Sequence, residues 1–140
     1  MSEHDYDGLV RRLFNEVVTH GRVNLINELY GADFVDHAPG PGQPPGRNGI
    51  IEVVKRYRAA VPDLKVTVED VIVSGNRVVT RETWRGTHRR DIASVRATNK
   101  PFSMTRMHIF RFHRGRIVEE WTAGSVLDLL RSMGTDEQPR

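Results

Sequence analysis

The stretch PFSMTRMHIFRFHRGRIVEEWTAGS, residues 101–125, carries the pattern that decides the fold. It predicts two strands joined by a tight turn at residues 113–116. Side chains alternate between the two faces of a strand, so the first strand places a cation and an imidazole in one apolar row. That row consists of Phe102, Met104, Arg106, His108, Phe110 and Phe112. Such a mixture is typical of a pocket wall, not of a surface that faces water.

The chain before this hairpin begins with a helical period. Apolar residues at three- and four-residue spacing predict helices over residues 4–20, 23–30 and from 47 or 48 to 61. A short strand at 33–38 precedes PGPGQPPG, residues 39–46, whose prolines and glycines predict a loop.

From Leu64 onward the apolar period changes to two, which predicts strands. A phase slip across Glu69 and Asp70 indicates a β-bulge, and a turn at 74–76 leads into a strand at 77–88. Residues 89–100 are polar and aperiodic, so we expect a long loop there. A short helix or turn follows at 126–133, and the polar tail 135–140 is expected to fray.

The order of these elements predicts one α+β domain over residues 1–140. Three N-terminal helices would pack on a curved, mainly antiparallel sheet, a four-strand meander with the early strand added at an edge. The curvature would leave a hollow between sheet and helices.

The composition excludes several classes of protein. The 140 residues include no cysteine, which rules out disulfides, zinc-thiolate sites and thiol nucleophiles. The net charge of +3 comes from scattered arginines without a nucleic-acid motif. The absence of an apolar leader or of a long apolar run predicts a cytoplasmic protein that does not bind membranes. The six histidines lack metal-ligand spacing, so no metal site is expected.

Four segments together resemble the SnoaL-like polyketide cyclase family over roughly residues 25–130. They are FVDHAPGPGQPPGRNGI at 34–50, YRAAVPDLKVTVEDVI at 57–72, GTH at 86–88 and IFRFHRGRIVEEW at 109–121. The resemblance implies the cone-shaped fold of nuclear transport factor 2. It also implies intramolecular aldol closure of a ring in an aromatic polyketide, without cofactor or metal.

The resemblance also assigns residues. The strand histidine of the family falls on His108, the polar residue two places earlier on Arg106, and the histidine of an Asp-His pair on His37. The family's aspartate follows a tryptophan, but here Trp121 is followed by Thr122. The loop motif PTGK also differs, since this chain has SVRATNK with Ala97 and Asn99 at the proline and glycine positions.

Aldol closure needs a base and a donor to the developing oxyanion. His108 is the candidate base and Arg106 the candidate donor, although Arg106 could instead pair with Glu119 or Glu120 across the hairpin. Thr122 could contact substrate or simply fill a strand position, and His37 is a candidate pocket residue. His88, at a strand end, is expected to be exposed. The expected walls for a flat polycyclic ligand are Tyr57, Trp84, Phe102, Met104, Phe110, Glu120 and Trp121.

Other functions stay open at this stage. The protein could be a component of polyketide-ring hydroxylation, or an epoxide-hydrolase-like enzyme with His108 and Glu120 in place of two aspartates around Arg106. It could also be a non-catalytic binding protein. The opposite strand face, with Val79, Thr105, Met107 and Ile109, predicts a homodimer through the open sheet.

Overall fold

A computed structural model describes residues 5–136, with side chains as far as residue 134. The predicted helix start at His4 and most of the tail at 135–140 lie outside this range. The helices are α1 (Tyr6–Arg12), which continues as a π-helical segment over Leu13–Thr19, α2 (Ile26–Leu29), α3 (Arg47–Ala60) and α4 (Val126–Asp136). The strands are β1 (Tyr30–Asp36), β2 (Lys65–Ser74), β3 (Arg77–Thr87), β4 (Pro101–His113) and β5 (Arg116–Ala123).

The five strands form one sheet in the order β1-β5-β4-β3-β2, with helices packed on one side. The meander from β2 to β5 is antiparallel, and β1 joins the edge parallel to β5. The α+β prediction is therefore confirmed, including the early strand at the edge.

Local features of the meander also follow the sequence. The register of β2 against β3 shifts between Val68 and Asp70, so the bulge lies where the apolar phase slips. The turn between β4 and β5 has Arg114 and Gly115, both with positive φ. Two such residues are what a tight antiparallel hairpin requires.

Other boundaries differ from the predictions. The helix predicted at 23–30 is a single 3-10 turn over Val23–Leu25 followed by the short α2, and Tyr30 already begins β1. The prediction that His88 is exposed is wrong. Its side chain is fully buried because residues 98–100 fold back on it: the Thr98 backbone N–H donates to His88 Nδ1. The loop it anchors also buries Ile92 and Val95.

The sheet face turned away from the helices carries an apolar row across four strands. Its members are successive cross-strand neighbours: Ile72, Val79, Ile109 and Trp121. Ile72 is 62% exposed and Ile109 39%. Across the described range, no helix is both long and apolar enough to span a bilayer.

Candidate active site

A cavity of about 390 Å³ lies between the inner face of the sheet and the helices. Its floor comes from alternate residues of β3, β4 and β5, because only every second side chain of a strand faces the helices. The polar and aromatic groups on this floor are Trp84, Arg106, His108, Phe110, Glu120 and Thr122. Phe14 and Tyr57 cover it from the helical side, and the loop after β1 contributes Pro39, Gly40 and Pro41.

His108 is fixed within a cage of aromatic rings. It stacks on Phe110 at 5.5 Å between ring centroids, and Phe14 meets it edge-on at 5.3 Å. Trp84 lies on a further side at 6.4 Å. Because the imidazole is only 6% exposed yet lines the cavity, its position is set before any ligand arrives.

Glu82 lies beside His108 and was not among the predicted site residues. Its side chain is fully buried, with Oε1 2.8 Å from Nδ1 of His108. The ring nitrogen is at ion-pair distance but lacks the angle of a good hydrogen bond, so the contact is chiefly electrostatic. Thr80 Oγ1 donates to Oε2 at 2.6 Å and Trp84 Nε1 donates to Oε1 at 2.9 Å. Converging donors suit a carboxylate, which only accepts.

The sequence contained one signal for Glu82. In β3 it alternates with Val78, Thr80 and Trp84, all of which are buried, and a charged residue in such a row needs a partner. With the carboxylate occupying the Nδ1 side of the ring, Nε2 is the nitrogen left for a ligand. A carboxylate-oriented imidazole of this kind is a competent general base.

Arg106 lies in the same wall and is 8% exposed. Its Nε donates to the carbonyl of Gly124 at 2.8 Å, and its guanidinium lies 4.4 Å from the ring centroid of Trp84. The alternative pairing with Glu119 or Glu120 does not occur: among the described residues, Arg106 forms no ion pair with either. The Nη groups are therefore available to an oxygen in the cavity.

Glu120 is a carboxyl of the cavity wall, and it is 6% exposed. Tyr30 donates its hydroxyl to Oε1 at 2.8 Å. Burial raises the pKa of Glu120, and the charge of Asp36 adds to this, while His108, the Tyr30 bond and Arg106 act in the opposite direction. Burial and the neighbouring carboxyl also raise the pKa of Tyr30, which keeps it a donor.

The other predicted residues divide into two groups. Tyr57, Trp84, Phe110 and Thr122 line the cavity, and Thr122 is the cross-strand neighbour of His108. Phe102 and Met104 share their face but lie further along β4, packed in the core and outside the cavity lining.

His37 and Trp121 lie on the outer face of the sheet. Their rings stack at 4.6 Å, His37 Nε2 is 2.9 Å from Glu119, and the guanidinium of Arg77 lies over Trp121. Asp36, the neighbour of His37, lines the cavity instead. Adjacent strand residues face opposite ways, so His37 and Trp121 lie on the face of the sheet opposite to the other predicted site residues.

The cavity wall carries the imidazole of His108 and the carboxyl of Glu120, both of which can take part in proton transfer. In the described part of the chain, no group of three or more histidine, aspartate or glutamate side chains is arranged to hold a metal ion.

Comparison with known proteins gives a consistent result. The SnoaL-like polyketide cyclase family profile matches residues 8–133. IdmH of Streptomyces antibioticus, provisionally assigned as a polyketide cyclase, is 34% identical with a TM-score of 0.75, over 91% of this chain and 97% of its own. No curated protein matches the sequence.

Two further structures share the fold at lower identity. TsrD of Streptomyces laurentii has a TM-score of 0.82 at 23% identity, over 94% of this chain and 96% of its own. AclR of Streptomyces galilaeus, provisionally assigned as a hydroxylase, has a TM-score of 0.79 at 20% identity, over 99% and 86%.

Proposed function

Because the chain belongs to the SnoaL-like polyketide cyclase family, we propose that it closes a ring in a polyketide-derived carbonyl compound by an intramolecular aldol reaction. The observation that carries the proposal is His108, held between a buried carboxylate and a cavity. A cavity of about 390 Å³ is within the range of small-molecule sites. Its aromatic walls suit a flat, hydrophobic, polycyclic substrate.

His108 is the base in this reaction. Its Nε2 removes a proton from the carbon next to a ketone, and the C–H electron pair moves into the enolate. Glu82 stabilises the imidazolium that forms, because its charge lies 2.8 Å from Nδ1. The enolate carbon then attacks a second carbonyl of the same molecule, and the new C–C bond closes the ring.

Arg106 supports the charge that develops on oxygen. Its guanidinium offers cationic Nη donors beside His108. The stacking on Trp84 and the bond to Gly124 hold the group in place before the substrate binds.

The test compares the wild type with His108→Ala on an anthraquinone that carries a β-keto ester arm beside an aldehyde. Ring closure is followed by chromatography and mass spectrometry. We expect the substitution to lower kcat by about 10²- to 10⁴-fold. His113→Ala is the matched control, because His113 lies exposed at the end of β4. Equal turnover by the wild type and His108→Ala would contradict the proposal.

The same samples separate the enzyme from a binding protein. Isothermal titration with the uncyclised anthraquinone measures affinity independently of turnover. Tight binding without closure, equal in both proteins, would favour a non-catalytic role. Turnover of an arene or terpene epoxide in preference to the anthraquinone would favour an epoxide-hydrolase-like reaction.

A further inference from the structure

The aldol reaction needs a proton donor as well as a base, and the position where the resemblance places the family's aspartate is Thr122. A carboxyl nevertheless reaches the cavity from the same strand. Glu120 lies two residues earlier on β5, so it faces the same way as Thr122. Two residues along a strand correspond to about 7 Å, which moves the carboxyl along the cavity without removing it.

The surroundings of Glu120 differ from those of Glu82. Glu82 accepts from Thr80 and Trp84 and lies against a potential cation. Glu120 accepts one hydrogen bond, from Tyr30 to Oε1, and has the carboxyl-bearing Asp36 as its neighbour on β1. A buried carboxyl with a second carboxyl close by holds a proton more easily than an exposed one.

We infer that Glu120, positioned by Tyr30, is the general acid that protonates the new alkoxide. This inference rests on the proposed function. As the C–C bond forms, the π electrons of the attacked carbonyl move to its oxygen, which takes the proton from Oε2 of Glu120. The enzyme is left with an imidazolium at His108 and a carboxylate at Glu120. Proton transfer from the first to the second through solvent restores the starting state.

A structural role for the same residues makes a different prediction. The Tyr30–Glu120 bond joins β1 to β5, and loss of this bond alone would lower stability without separating the chemical steps. The test must therefore measure enolate formation and ring closure independently.

Two probes make that separation in full-length protein. An anthraquinone with an acetonyl arm and no second carbonyl in reach reports proton removal, through deuterium exchange from D₂O seen by NMR. The β-keto ester anthraquinone aldehyde reports closure. For Glu120→Gln we expect exchange within about threefold of the wild type and closure lowered by about 10²-fold or more. His108→Ala should lose both reactions.

Glu119→Gln is the matched control, because Glu119 lies on the outer face with Arg111 and His37. Both reactions should stay at the wild-type rate in this variant. Closure by Glu120→Gln at the wild-type rate, or an equal fall in exchange and closure, would overturn the assignment of the acid.

A measurement without turnover separates this inference from the proposed function. Carbon-13 NMR of protein with labelled glutamate carboxyls, compared with Glu120→Gln, identifies the Glu120 signal. It should titrate at higher pH than the exposed glutamates, and titration in their range would overturn the inference even if closure proceeds. A wild type that neither exchanges nor closes would refute the proposed function, while the titration would still decide whether Glu120 holds a proton.

Discussion

Replacement of Glu82 by glutamine tests the central contact of the site with little change in shape. The glutamine carbonyl can take the place of Oε1, which faces Trp84 and His108, and its NH₂ group can face Thr80. The hydroxyl of Thr80 can turn and accept, because it is both donor and acceptor. The hydrogen-bond pattern is thus preserved and only the negative charge is lost.

The size of the effect follows from the 2.8 Å separation. Two unit charges at that distance attract by about 6 kcal/mol at an effective dielectric of about 20. Part of this is lost to the desolvation of both groups. If half of the attraction remains, the imidazolium that forms in the transition state loses about 3 kcal/mol of stabilisation when the charge is removed. The value of kcat then falls by about 10²-fold. The free energy of unfolding should fall by only about 1–3 kcal/mol.

The assay is the measurement of kcat and kcat/KM for closure of the anthraquinone substrate. The comparison is made at one pH for the wild type and the folded variant. We expect the fall in kcat of about 10²-fold in Glu82→Gln, because the transition state loses the carboxylate that stabilises its imidazolium.

The matched control is Glu69→Gln. Glu69 also accepts a hydroxyl bond, from Thr83 at 2.8 Å, but it is exposed in the bulge of β2. This variant should keep the wild-type rate. A folded Glu82→Gln protein with wild-type kcat would refute the role of the carboxylate.

Three further predictions follow from the packing and charges. Gly86→Ala should lower the free energy of unfolding in urea by about 1–3 kcal/mol, because a methyl group there would overlap the side chain of Val61. Its control is Gly134→Ala, in α4, where an added methyl group would make only ordinary van der Waals contact. A comparable loss in the control would contradict the packing argument. The apolar row on the outer face predicts a homodimer. Light scattering should therefore give twice the 16.0 kDa chain mass for the wild type and 16.0 kDa for Ile109→Arg. A monomeric wild type would exclude this dimer. The raised pKa of Glu120 means that the folded state keeps a proton which the unfolded chain has released. The free energy of unfolding of the wild type should therefore fall as pH rises through this window, and that of Glu120→Gln should not. If the free energies of unfolding of the two proteins change in parallel from about pH 4 to 8, the pKa shift is contradicted.

The fold was predictable because its determinants are local. The change of apolar period at Leu64, the slip at Glu69 and the turn at 113–116 each depend on neighbours in sequence. Alternation also placed Arg106 and His108 on one face correctly. These features require no knowledge of which distant segments meet.

Other parts depended on contacts between distant segments. His88 is buried only because Thr98 returns to bond it, and no property of residues near 88 announces that contact. The importance of Glu82 likewise arises from the β3–β4 register, in which Thr80 lies opposite His108 and Glu82 opposite Arg106. Strict alternation separates Glu120 and Thr122 from Trp121, and Asp36 from His37. Resemblance to a family drew attention to His37 and Trp121, which the structure places on the outer face.

Two carboxyls occupy different places at the site: Glu82 is buried beside His108, and Glu120 lies in the cavity wall. Hydrogen-bond donors and an imidazole surround Glu82, whereas burial and Asp36 raise the pKa of Glu120. These different surroundings suit Glu82 to an electrostatic role and Glu120 to a proton-donating role. Because the sheet presents every second residue of β5 to the cavity, a carboxyl at 120 remains in the wall when position 122 carries a hydroxyl. The identity of the substrate's acceptor carbonyl should therefore follow the position of Glu120 along the strand.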